Sequence, residues 1–128
     1  MKEHEHHEQM IKGIVEQFRP ILEGSEQAIY IYMDDMHKIC NKKFADMLGF
    51  STPKEWANTI EPFTDLFVGN KSTEDLVSAY QAAMERMAGS KVSVTWKKKG
   101  GGAVKTDVIL VPISFSGHLF ALHFVEQL

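Results

Sequence analysis

The sequence predicts an α+β fold, and three observations carry that expectation. Apolar residues in the first two-thirds recur mainly at steps of three and four, the helical period. In the last third they alternate with polar residues, as strands do. The joint "FSGH" between the two final extended runs is short, so those runs pair antiparallel. A length of 128 residues fits one ordinary domain, and 44% apolar with 24% charged residues is the balance of a soluble one.

Met10, Ile11, Ile14, Val15, Phe18, Ile21 and Leu22 mark an amphipathic helix that ends at Gly24. Pro20 lacks a backbone donor, which predicts a kink or restart near Phe18 to Pro20. Ile29 to Met33 is rich in strand formers, Asp34 and Asp35 supply a turn, and His37 to Cys40 reads as a second short strand. Asn41 is placed to cap the helix that follows, and Gly49 to end it. Thr52-Pro53-Lys54-Glu55 opens a short helix with a cap, a first-turn proline and a carboxylate that reaches back. The stretch from Ile60 to Lys71 is irregular, with Phe63, Leu66 and Phe67 expected inside.

Ser72-Thr73-Glu74-Asp75 reads as the start of a longer helix with Leu76, Tyr80, Ala83, Met84 and Met87 as its inner stripe and Gly89 as its stop. Val92, Val94 and Trp96 then alternate, Val104 to Phe115 forms a long strand, and His118 to Val125 another.

"KKKGGGAVK" raises the question of phosphate binding. A phosphate loop runs from a strand through glycines into a helix N-terminus. Here the alternation of Val104, Thr106, Val108 and Leu110 makes the following segment a strand, and the Walker spacing is missing. Gly100 to Gly102 are therefore expected as a loose hairpin tip, with Lys97 to Lys99 a solvated approach to it.

The charge balance, 14 Lys plus Arg against 17 Asp plus Glu, gives a net −3, and Lys97 to Lys99 are the one dense basic run. That argues against a nucleic-acid partner. The longest apolar run, near Val108 to Ile113, is too short to span a bilayer, and "MKEHEHHEQM" is unlike a secretory signal. The single Cys40 forms no disulfide within the chain, which points to a reducing cytoplasm.

With this order of elements, "SEQAIYIYMDDMHKICNKKFADMLGFS" and the run from "STEDLVSAYQ" through "VTWKKKGGGAVKTDVILVPIS" to "HLFALHFVEQL" resemble the PAS sensor-domain family. The likeness covers about Phe18 to Leu128. It implies a five-stranded antiparallel sheet with helices on one face, and it divides the chain into an N-terminal amphipathic helix, 1–17, and a PAS-like domain, 18–128. It also implies an interior pocket, either open to a small apolar ligand or filled by side chains. The candidates to line it are Ile31, Phe44, Leu48, Phe67, Tyr80, Met84, Val94, Trp96, Val108 and Leu110; Tyr80 and Trp96 bring the polar handles. Ordinary core packing is the competing role for each.

The flavin-binding, light-sensing branch of that family carries a reactive cysteine on a helix where this chain reads "EWANTIEPF", and Cys40 lies on a strand instead. The haem-binding branch uses a histidine on the long helix, which here has none; Met84 and Met87 are better read as core. Both features argue against flavin and haem and leave any cofactor unidentified. His4, His6 and His7 sit at an exposed start, a poor place to preorganise a metal site. His118 and His123 fall on opposite faces of one strand. Asp34 and Asp35 read as turn residues rather than an acid–base pair.

The outer sheet face is too apolar to stay wet: Ile109, Val111 and Ile113 follow Lys105 and Asp107, and the final strand is apolar at both parities. A cover is required, and Ile11, Ile14, Val15 and Phe18 are placed to pack there, from the same chain or a partner, with Ile109 and Val111 in a homodimer. The expected function is a non-catalytic sensory or protein-interaction domain, with a histidine kinase or similar signalling protein as partner. The alternatives are a small cone-shaped enzyme of the ketosteroid-isomerase type and an apolar-ligand carrier. The enzyme needs a carboxylate base inside, whereas Asp107 points outward by parity.

Overall fold

A computed structural model describes residues 2–34, 37–59, 69–115 and 117–128, with the side chains of 2–7, 34 and 70 excepted. Helix α1 (Lys2–Gly24) leads into strands β1 (Ala28–Asp34) and β2 (His37–Cys40). The short helices α2 (Lys42–Leu48) and α3 (Pro53–Ala57) follow, then the longer α4 (Asn70–Arg86). Strands β3 (Ser90–Lys97), β4 (Ala103–Phe115) and β5 (His118–Gln127) complete the order. The strands form one antiparallel sheet, β2-β1-β5-β4-β3.

Helix α1 runs unbroken through Pro20, where the sequence predicts a kink or restart. Pro20 and Glu16, the residue whose carbonyl loses a donor, are both exposed. The helix also crosses position 17. It lies on the outer sheet face: Met10 and Ile14 are buried with Ile29, Ile31, Phe120 and Leu122, and Phe18 and Leu22 pack at the margin. This explains why β5 is apolar at both parities, being central and covered on each side. Gly13 lies at the close approach, where an added Cβ would sit 3.1 Å from the Phe115 ring.

Asn41 joins three elements. Its Oδ1 accepts from the N–H groups of Phe44 and Ile29, both at 3.0 Å, and its Nδ2 donates to the Gln27 carbonyl at 2.9 Å. One buried amide thus caps α2 and fixes the entry to β1. Gly49 ends α2 in the left-handed region, φ 85°. In α3, Thr52 Oγ1 accepts from the Glu55 N–H and Glu55 Oε1 accepts from the Ser51 N–H.

Two expectations for α4 need correction. It starts at Asn70 after Gly69, with no side-chain cap. Ser72 Oγ instead accepts from the Thr95 N–H at 2.8 Å, which ties the helix to β3. At the other end Met87, not Gly89, takes the left-handed turn (φ 52°), so this member of the expected inner stripe is 52% exposed.

The glycine-rich segment is the β3–β4 connection. β4 begins at Ala103, so a strand and not a helix follows the glycines. Gly101 and Gly102 take positive φ, which the turn requires. The tip is tethered rather than loose: the Lys99 N–H donates to the Leu48 carbonyl at 2.8 Å, and Lys99 Nζ meets Glu55 Oε2 at 2.6 Å. The Lys99 Nζ bond, with the one from the Ser51 N–H, holds the Glu55 carboxyl below its ordinary range.

Candidate functional site

Between the inner sheet face and α2, α3 and α4 lies the main core. Pairing sets which side chains reach it. Tyr30 lies opposite His123, Val94 opposite Thr106 and Trp96 opposite Val104, so all of these face the helices.

Tyr30 is the hub. Its ring centroid is 4.7 Å from Phe44 and 5.7 Å from both Trp56 and Trp96, and it stacks on His123 at 3.9 Å with 8° between planes. Phe44 contacts Trp56 and Trp96 edge-on at 5.0 and 5.3 Å. These five side chains are fully buried and fill the part of the interior they occupy.

Two polar side chains of this core are bonded to each other and to the sheet. Trp96 Nε1 donates to Thr106 Oγ1 at 2.8 Å, and Thr106 Oγ1 donates to the Val94 carbonyl at 2.9 Å. Trp96, expected to offer a polar handle, thus spends it inside the sheet. Burial pushes the His123 imidazole down to about 3, against weaker upward pulls from the Tyr30 and Ala121 backbone, so the ring is neutral. Its Nδ1 has no hydrogen-bond partner among the described residues. The Tyr30 hydroxyl is held well above 10 by burial and by Tyr32. Cys40 is pushed up to about 12 by burial, with the Ala45 backbone and Lys38 pulling down, which leaves an inert thiol.

Of the ten pocket candidates, Phe44, Leu48, Val94, Trp96, Val108 and Leu110 lie together in this core, and Tyr80 packs on its edge with its ring 5.9 Å from Tyr32. Met84 is half-buried on α4. Ile31 is on the opposite face under α1, because its neighbour Tyr30 takes the inward position. Phe67 lies outside the described residues, as do Phe63, Leu66 and Asp35.

Among the docking candidates, Ile14 is fully buried and Phe18 packs beside it. Ile11 and Val15 are half-buried, Val111 joins the cluster under α1, and Ile109 is 44% exposed on the outer face.

Three inward residues make contacts that the sequence reading does not anticipate. Thr106 was expected to face the helices but not to bond Trp96. His123 was visible by parity with Val125 and Ala121. Lys38 is 2% exposed, donates to the Thr59 carbonyl at 2.6 Å and lies 5.5 Å from the Trp56 ring centroid. Its place opposite Tyr32 in the hairpin register was the available signal.

Chemically, this core offers rings and aliphatic surface. Asp107 is on the outer face, where it accepts from Ser93 Oγ and pairs with Lys91. Among the described residues no buried carboxylate faces the interior, and no three His, Cys, Asp or Glu side chains converge as a metal site. No described helix is long and apolar enough to cross a membrane.

No protein-family model matches the sequence, and no curated protein is significantly similar to it. Solved structures do match. A PAS domain of a protein from Colwellia psychrerythraea superposes with a TM-score of 0.70 at 20% identity, covering 90% of this chain and 97% of that one. The PAS domain of an HTR-like protein from Haloarcula marismortui gives 0.68 at 16% identity, covering 97% and 99%. A PAS domain from a two-component sensor histidine kinase gives 0.68 at 11% identity, covering 91% and 99%.

The chain has the PAS fold. The five-stranded antiparallel sheet, the helices over its inner face and α1 on its outer face account for every described element. The PAS core of this chain is built around Tyr30.

Proposed function

We propose that this PAS-fold chain is a non-catalytic sensory or protein-interaction module of signal transduction. The observation that carries the proposal is the character of its interior: a core of close-packed rings with a neutral histidine and no inward carboxylate among the described residues. Among the described residues this core supplies no carboxylate base of the kind the ketosteroid-isomerase alternative needs, so that alternative finds no support there. The likeness to PAS domains of sensor kinases supports a histidine kinase or related protein as the output partner. The same reading places the protein in the cytoplasm and allows a small apolar ligand at the Tyr80 edge of the core, where side chains are only half-buried.

Association between copies belongs to the proposal. Helix α1 covers β1 and β5 but leaves Ile109 exposed on β4, beside Lys91 and Asp107. A second copy would bury Ile109 and Val111, with α1 at the border. Native mass spectrometry of the purified chain, combined with its absorption spectrum, tests this. The expected result is a dimer without a visible chromophore, converted to monomer by Ile109→Asp. A monomer at micromolar concentration would remove the dimer, and measurable turnover of a ketosteroid would remove the non-catalytic reading.

A further inference from the structure

Outside the core, a trough runs beside edge strand β2. It consists of three cavities of about 450, 340 and 380 Å³ that share walls. One wall is α1 from Glu8 to Glu23, roughly 23 Å of helix at 1.5 Å per residue. The other is β2 with the first turns of α2 and α3.

The floor is apolar: Val15 and Leu22 face Ile39, Cys40, Pro53 and Ala57. All but Cys40 are half-buried, because they face a gap rather than one another. The rim is cationic although the chain as a whole is acidic. Glu8 and Glu23 border the trough against Lys12, Arg19, Lys42, Lys43 and Lys54. Arg19 pairs with Glu23 and Lys42 with Asp46. Lys12, Lys43 and Lys54 have no ion-pair partner among the described residues.

From this we infer that the trough is a binding site for a free alkyl carboxylate, with the chain along the floor and the head group on Lys43 or Lys54. The apolar floor supplies affinity in proportion to the chain length buried, and the unpaired ammonium groups select the anionic head. The cavities have the volume of small-molecule sites. The site is separate from the Tyr30 core and does not depend on the dimer. It lies against α1, so a bound chain would contact the helix that covers the outer sheet face.

Calorimetry and amide chemical-shift mapping on the full chain, with decanoate as probe, provide the test. Saturable one-to-one binding is expected, with shifts along α1, β2 and α3. Affinity should rise by up to roughly fourfold per methylene from octanoate to decanoate. Neutral decanol and the double variant Lys43→Glu, Lys54→Glu should each bind at least tenfold more weakly; both lysines are exposed, so the fold is retained. Val15→Trp should block the trough for acid and alcohol alike. The inference is overturned by absence of saturable decanoate binding or by equal affinity in the lysine variant. Shifts confined to the surroundings of Tyr30 and Trp96 would overturn it too. So would capture by phosphatidylglycerol vesicles, or by an acidic helical peptide, without binding of decanoate.

Discussion

Asn41 and His123 show how much one buried side chain decides here. Removing the Asn41 amide leaves the α2 terminus uncapped and a strand N–H at Ile29 without its acceptor. Asn41→Ala should therefore cost about 2–4 kcal/mol in chemical denaturation, a lost cap plus an orphaned buried donor. His123 acts through pH. Its folded value of about 3 lies below its ordinary 6.5, so between those values the unfolded chain binds the extra proton. The stability it contributes is complete above 6.5 and falls as pH drops toward 3. His123→Phe keeps the stack on Tyr30 and removes the titration. Its denaturation midpoint should decline less than that of the parent between neutral pH and pH about 4. At this scale the sequence showed the Asn41 cap through its spacing to a helix start. It hid the Trp96–Thr106 bond, which depends on a strand register that no local pattern states.

Among the elements, α1 gains most from tertiary context. Its apolar stripe was legible, and so was the need for a cover over the outer sheet face. That it continues past Pro20 without a restart was not, because the cost of a missing donor depends on what the orphaned carbonyl meets. Gly13 sets how near the helix can lie. Gly13→Ala should be close to neutral, since the helix propensity gained offsets a small shift of the Phe115 ring. Gly13→Leu should destabilise by about 1–3 kcal/mol in thermal or chemical unfolding, because the added atoms must push the helix from the sheet. The glycine-lysine hairpin was recognised by alternation alone. Its tether to Glu55 was not, since the partners are 44 positions apart. The start of α4 was misplaced because Ser72, a good cap by type, is used across the fold by Thr95.

For the whole molecule, α1 is a structural part of the sheet sandwich. Deleting residues 2–17 would expose Ile29, Ile31, Phe120 and Leu122. A lower melting temperature and a smaller soluble fraction than the full chain are expected, read by thermal denaturation and by sedimentation of the lysate. The order of elements was enough to suggest the likeness to PAS domains, and that likeness implied five antiparallel strands. The division of Ile31 from Tyr30, and so the composition of the candidate pocket, was not fixed by order. A one-residue change of parity moves a side chain from one core to the other.

The position of β5 between β1 and β4 bears on synthesis. The strand made after every other described element is the one that joins the two halves of the sheet. Without β5, β1–β2 and β3–β4 are separate hairpins whose inner edges present unpaired N–H and C=O groups. The sheet therefore closes only once residues 118–127 are available, and a chain lacking them is expected to aggregate through those edges.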